Sequence, residues 1–342
     1  MTTGHGGSPA RQSPPPPSAG AAGATHPPAV PDPAFPSSAT LGPQPWQRVA
    51  VDIPGVEFEA RPPGRYAFDF PDSECDGWST DHLALRFASV RGAKHRYYRQ
   101  PRQDTARAAA HENSGSVVFA VADGVSSATE SHQGAVEACR ASVDRMLHML
   151  DYVPGPLDLS DVAAYAASWL EELTRWRLGT THPGPEEVAR LYATTLVAGA
   201  VRPTPDGPRV ELFRIGDSGA WLLDRASGHY HQVFVSKTGT DAVLVRNEVA
   251  PLPRIPDSLD QAAFHLSHHM VLLSGTDGFG DPLGDGDGAV GALFASHLAE
   301  PPPPLWLGHV LVFSRETFDD DRTLLAVWPQ AAAGPTPKAG PR

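Results

Sequence analysis

The sequence predicts an α+β fold of two stacked, mainly antiparallel β-sheets flanked by helices, an αββα layering. Three observations predict it. Apolar, β-branched runs of strand length recur along the chain, turn signals such as PTPDGP and DRASG separate several of them, and two long segments instead carry apolar residues at helical spacing. Strands, then helices, then strands joined by short turns fit helix-covered antiparallel sheets better than a doubly wound parallel sheet.

Taken in order, residues 1–45 are rich in Pro, Ala, Gly and Ser and poor in bulky apolar groups. Such a stretch cannot bury enough surface to offset its ordering entropy, which predicts a disordered tail with polyproline II character; 331–342 reads the same way. Residues 46–80 hold short apolar pieces (VAVDI, FEA) broken by Pro and Gly, an N-terminal extension whose packing on the main domain, 81–330, is left open. HLALRFASVRG and SVVFAVADG read as strands, the second ending abruptly at Asp-Gly. Val136, Cys139, Val143, Met146, Leu147 and Leu150 then line one helix face. DLSDVAAYAASWLEELTRWRLG predicts a second helix, with Ser160 as N-cap and Gly179 as its stop. ATTLVAGAVR, RVELFRIGDSGAWLLD and HYHQVFV predict an antiparallel meander, followed by the irregular SKTGTDAVLVRNEVAPLPRIP. HMVLLSGTDG is a further buried strand, GAVGALFASHLAE and PLWLGHVLVFSRE are helical, and RTLLAVW closes the chain as a strand.

Composition narrows the function. The 342 residues are 41% hydrophobic, enough for a sizeable core, and carry a net charge of −12 from 39 acidic and 27 basic side chains. That balance lacks the basic face of a nucleic-acid binder and fits poorly with docking on an anionic membrane. Two cysteines, Cys75 and Cys139, make neither a CxxC zinc pair nor a disulfide framework. The opening MTTGHGGSPARQSPPPPS has no apolar core of a secretory signal, and no run reaches the roughly 18 apolar residues of a spanning helix. The cytoplasm is therefore the expected compartment. His268-His269 lack HExxH spacing, DGDG at 285–288 lacks the downstream Glu of a calcium loop, and no GxSxG elbow accompanies Ser126 or Ser218.

Four acidic positions share one context: Asp123 in FAVADG, Asp217 in FRIGDS, Asp277 in LLSGTDG and Asp321 in FDDDRTLLAVW, each at the end of an apolar strand beside a turn residue. Any one of them could simply make a turn. Several converging from rigid strand ends would instead suit hard cations such as Mg²⁺ or Mn²⁺, which take oxygen ligands.

The wording of these segments resembles the metal-dependent protein phosphatases, the PPM or type 2C family, from about Arg86 to Trp328, about 70% of the chain. SVRGAKHRYYRQPRQDTA is similar to that family's opening motif in its bacterial form. VVFAVADGVSSA is similar to its VaDG strand, TTLVAGAV to its TTL strand, FRIGDSGAWLL to GDSRaYL, LLSGTDGFGD to SDGltD, and DDRTLLAVW to the closing D-N-x-T strand. Each pattern is weak alone; six in the family order are specific.

The resemblance implies hydrolysis of phosphoserine or phosphothreonine in proteins by a water activated between two divalent cations, with no phosphoenzyme. It implies that Asp123 bridges both ions, that the Gly124 carbonyl ligates one, and that Asp277 and Asp321 complete the first. Asp104 would orient a water or approach the second ion, and Asp217 with Asp277 matches a weaker third position. Arg99, five residues before Asp104, stands where some members bind phosphate, with Arg96 and Arg102 as rivals. Cofactors are then two, or three, Mg²⁺ or Mn²⁺ ions. The Ala-, Pro- and Arg-rich wording is similar to high-GC actinobacterial sequences, where such phosphatases oppose Ser/Thr kinases, so phosphoprotein targets of those kinases are the implied partners. The chain departs from the family at Gln103, where many members have Glu, at Ser126-Ser127 in place of a glycine pair, at Val125 where some members have a histidine, and at Gly219 in place of the GDSR arginine. These departures imply one alternative, a catalytically impaired phosphatase-like module. A different two-metal phosphoesterase shares the aspartates but not the motif order.

Overall fold

The computed structural model describes residues 46–56, 61, 64, 69–153, 155–234 and 250–330. The tails 1–45 and 331–342, and most of the irregular stretch after HYHQVFV, lie outside them. The chain opens with β1 (Ser73–Ser79), β2 (Leu83–Val90), α1 (Ala93–Tyr98), β3 (Asp104–His111) and β4 (Ser116–Asp123). Three helices follow, α2 (Ser131–Tyr152), α3 (Leu159–Leu178) and α4 (Pro185–Tyr192), and then β5 (Leu196–Arg202), β6 (Arg209–Ile215), β7 (Gly219–Asp224) and β8 (Tyr230–Gln232). Last come β9 (Asp260–His265), β10 (Met270–Gly275), α5 (Asp277–Leu283), α6 (Ala289–Leu298), α7 (Pro304–Leu311) and β11 (Arg322–Pro329).

The strands form a six-stranded sheet in the order β1-β2-β11-β10-β7-β8 and a five-stranded sheet in the order β3-β4-β5-β6-β9, antiparallel throughout. The α+β sandwich expected from the sequence is therefore the observed fold. Strand period explains the layers. On β4, Val117, Phe119 and Val121 face the core between the sheets, while Val118, Ala120 and Ala122 face α2 and α3. On β11, Leu325 and Val327 point inward while Leu324, Ala326 and Trp328 pack against the α5–α7 side. Both strands are apolar on both faces because each sheet is covered twice.

Two expectations are corrected. The segment RVELFRIGDSGAWLLD is not one run of a meander: β6 belongs to the five-stranded sheet and β7 to the six-stranded one. The chain changes sheets at Gly216, whose φ of 96° and close approach to Thr195 exclude a side chain. The N-cap of α3 is Asp158, whose carboxylate accepts from the Ser160 and Asp161 amides, rather than Ser160; Gly179 ends that helix in the left-handed region, as expected. Part of the 46–80 segment is integral to the sheet, since residues 73–79 pair along β2.

Candidate metal centre

The loops at one end of the sandwich bring the acidic residues together. Asp104 begins β3 and Asp123 ends β4, and the two are direct partners at the end of that ladder. From the other sheet, β10 ends at Gly275 and Asp277 opens α5 directly after Thr276. Asp104 and Asp123 lie close enough to act on each other's carboxyl groups, as do Asp123 and Asp277. Asp104 is 3% exposed.

A buried polar network holds this geometry. The Thr276 hydroxyl donates to Asp104 Oδ2 at 2.6 Å and accepts the Thr323 amide at 3.1 Å, tying the two sheets at the site. Thr323 donates to Ser89, whose hydroxyl donates to the Asp104 carbonyl. The Asp123 amide donates to the Thr195 hydroxyl, itself bonded to Ser218 at 2.7 Å. Gly124 cannot be replaced, because a Cβ there would stand 2.6 Å from the Ser131 carbonyl oxygen.

The electrostatics fit a divalent cation. Burial, then the charges of neighbouring aspartates, pushes Asp104 and Asp123 well above the ordinary carboxylate range. Asp277 is pushed up to about 6 by burial, then by Asp217. Beside them Gln103 keeps a buried Oε1 that accepts no hydrogen bond. Three crowded carboxylates form an oxygen-only donor set of the kind Mg²⁺ and Mn²⁺ prefer.

Asp321 is held by backbone amides and a histidine, and with His95 and Asp320 it forms a group whose ligand atoms lie within 4.8 Å of one another. It is 2% exposed, and both its oxygens are occupied. Oδ1 accepts the Gly92 amide at 2.7 Å; Oδ2 accepts the Gln103 amide at 2.6 Å and lies 2.8 Å from His95 Nδ1. Burial lowers the His95 pKa, but Asp321 outweighs it and leaves the imidazole raised. Asp321 thus anchors the starts of α1 and β3. Its neighbour Asp320 is half-exposed, lies 3.5 Å from both Lys94 Nζ and His95 Nε2, and adds to the negative field on Asp277. Counted back from Thr323, the D-N-x-T wording sets Asp320 at its aspartate and Asp321 at its asparagine.

Asp217 sits exposed at the β6–β7 turn, close enough to Asp277 and Asp281 to raise both. The three arginines separate. Arg102 is buried against Glu74 and the Asp104 carbonyl, and Arg96 forks onto Asp72 at 2.6 and 3.0 Å. Arg99, the left-handed C-cap of α1, lines a cleft of about 430 Å³ with Gln103, Ser126, Ser127, Thr129 and His132. The sequence reading missed Ser89, His95, Thr276 and Thr323; apart from His95, each is a polar residue in or at the end of an apolar strand, beside a motif aspartate.

The model of the protein phosphatase 2C family matches residues 91–295, which is 205 of 342 positions. The chain belongs to the protein phosphatase 2C family, the metal-dependent serine/threonine protein phosphatases. No curated protein matches it in sequence. Among solved structures it is similar to RsbX in complex with magnesium, at 12% identity over 75% of this chain and 100% of that one, with a TM-score of 0.48. It is also similar to the Mycobacterium tuberculosis serine/threonine phosphatase PstP, at 17% identity over 72% and 98% of the two chains, TM-score 0.45. The S. agalactiae serine/threonine phosphatase matches at 16% identity over 72% and 100%, TM-score 0.47.

Proposed function

We propose that Asp104, Asp123, Asp277 and Asp320, with the Gly124 carbonyl, hold two Mg²⁺ or Mn²⁺ ions, and that the chain hydrolyses phosphoserine and phosphothreonine in proteins at this centre. The observation that carries the reading is the convergence of Asp104 and Asp123, cross-strand partners at the end of one sheet, with the Thr276–Asp277 turn of the other, whose Thr276 hydroxyl binds Asp104. Bound there, the ions supply a nucleophilic water at neutral pH and charge for the phosphoryl oxygens.

The chain's own residues do the rest. Thr276 fixes the orientation of Asp104, and Asp321 holds α1 and β3 so that Arg99 and Gln103 face the cleft. Arg99 donates to phosphate oxygens, which a guanidinium matches in a planar fork. The cleft, walled by Ser126, Ser127 and Thr129, takes the peptide around the phosphorylated residue. Asp217, beside Asp277 and Asp281, is the place for a third, weaker ion. Gln103 offers a neutral oxygen where a carboxylate would add charge, which weakens the second ion's hold without removing a donor. The partners are phosphoproteins modified by Ser/Thr kinases. Among the described residues no helix is long and apolar enough to cross a membrane, and the cytoplasm is the compartment proposed.

The test is hydrolysis of p-nitrophenyl phosphate and of a phosphothreonine peptide with Mn²⁺, Mg²⁺ or EDTA, beside Asp277→Asn. Metal-dependent turnover that vanishes in the variant is expected. Turnover that survives Asp277→Asn, or none at any metal concentration from folded protein, would overturn the reading.

A further inference from the structure

The cleft beside the acidic centre is walled in part by Glu130, the residue that precedes α2. The last turn of α3 reaches the cleft at the same residue, where Arg177 Nη2 donates to Glu130 Oε1 at 3.2 Å. On that turn stand Trp176, 65% exposed, and Leu178, 43% exposed. Helix period sets this face: Trp169, Leu173, Trp176 and Arg177 recur at i, i+4, i+7 and i+8. One stripe of α3 therefore lies along α2, bonded to it at Glu137 and again at the cleft wall.

The two indoles are held in place. Trp169 Nε1 donates to Glu137 Oε2 on α2 at 2.9 Å, and Trp176 meets Trp169 edge to face, their centroids 6.2 Å apart. The charges around them are paired within the chain: Glu137 with Arg140 at 3.0 Å, Glu172 with Arg175 at 2.5 Å, and Glu130 with Arg177. What this shelf offers a partner is therefore apolar surface on a preorganised aromatic pair, with little unpaired charge to attract an ion. Trp is also the side chain most enriched at the anchor points of protein interfaces.

We propose that the Trp169–Trp176 shelf is a docking surface for the phosphoprotein substrate, taking an apolar side chain a few residues from the phosphorylated one. The proposal rests on the reading of the cleft as the seat of the phosphopeptide. Continuity names the occupant: Glu130 belongs both to the cleft wall and to the Arg177 pair, so a chain leaving the cleft past Glu130 meets the indoles next. The step from Glu130 to the backbone of α3 is one arginine side chain, which about two or three residues of extended chain cover at roughly 3.3 Å each. Docking there lowers KM for the matching sequence and leaves kcat alone, because the shelf touches no reacting atom.

The test compares a phosphothreonine peptide flanked by alanines with a series in which a single Leu is walked outward from the phosphothreonine on either side. Trp176→Ala and Trp176→Phe are the variants; the side chain is exposed, and circular dichroism confirms that each folds. In Mn²⁺-dependent hydrolysis by the full chain, one Leu position is expected to lower KM about fivefold or more. Trp176→Ala removes that gain and Trp176→Phe keeps most of it, while kcat and p-nitrophenyl phosphate turnover stay unchanged. Fluorescence anisotropy of the same peptides, labelled and in EDTA, reads docking without turnover. A Leu preference there that Trp176→Ala abolishes supports the shelf even if no substrate is hydrolysed, an outcome that counts against the metal centre alone. No Leu preference at any position in either arm, or one that survives in Trp176→Ala, would overturn the proposal. So would a wild type that sediments as a dimer and a Trp176→Ala variant that sediments as a monomer, since the shelf would then face a second copy of the chain.

Discussion

The acidic centre meets a cavity at the Asp319–Asp320 segment, the first a crowd of carboxylates and the second lined by Arg48, Arg91, Arg96, Arg315 and Arg322 interleaved with Glu316, Asp319 and Asp320. Their supports differ. Asp104 and Asp123 are cross-strand partners pinned by Thr276 and Thr195, so the sheets themselves hold the carboxylates together. The arginines are held by loop carbonyls, Val312 for Arg48 and Leu311, Phe313 and Phe318 for Arg322. The shifts run in opposite directions for one reason: Asp104 and Asp123 rise and Arg322 falls because burial and like neighbours both favour the neutral form. Rigid strand ends suit a centre that must hold its geometry through chemistry.

The sharpest way to break this comparison is the neighbouring pair Asp320 and Asp321. Asp320→Asn is expected to cost about 100-fold or more in Mn²⁺-dependent turnover with little loss of thermal stability. Asp321→Ala should instead lower stability by about 3–5 kcal/mol, because it strips the acceptor from two amides and the buried His95. Asp321→Asn, which keeps an oxygen for one amide, should lose less. If Asp321→Asn abolished Mn²⁺ binding while Asp320→Asn kept it, the roles would have to be exchanged.

Next in size is Thr276→Val, which removes the donor to Asp104 and the acceptor for Thr323. It should weaken Mn²⁺ binding about 10–100-fold, read from equilibrium metal titrations. Unchanged Mn²⁺ binding would mean that Thr276 does not orient Asp104 for a cation.

A pH series separates the acidic centre further. Asp277 reaches about 6, and Asp104 and Asp123 also rise, so the folded metal-free chain binds more protons than the unfolded chain above the ordinary carboxylate range. Stability from these groups therefore falls as pH rises from there through about 6. Because ligands must lose protons to bind a cation, Mn²⁺ should raise Tm more at about pH 7.5 than at about pH 5. The reverse order would contradict the assignment. Smallest is Gln103→Glu, expected to lower the Mn²⁺ concentration for half-maximal turnover a few-fold, read from metal titrations of rate.

Much of this was legible in the sequence because it is local. Apolar strands ending at Asp-Gly announce both the strand and the projecting carboxylate, which is how Asp123 and Asp277 could be found. What was not legible depends on contacts distant along the chain. RVELFRIGDSGAWLLD looks continuous, and nothing in its apolar pattern tells that its halves enter different sheets. Asp319, Asp320 and Asp321 are three identical side chains in a row, and only the amides of Gly92 and Gln103 distinguish the anchor from its neighbours. The arginine cavity gathers residues from 48 to 322, a spread that no periodicity reports.

The most direct test of the metal centre is equilibrium Mn²⁺ binding to the wild type and to Asp123→Asn, which removes a carboxylate of the proposed centre. The account predicts about two ions per wild-type chain and at least a tenfold weakening of both in the variant. Unchanged stoichiometry and affinity in Asp123→Asn would contradict it.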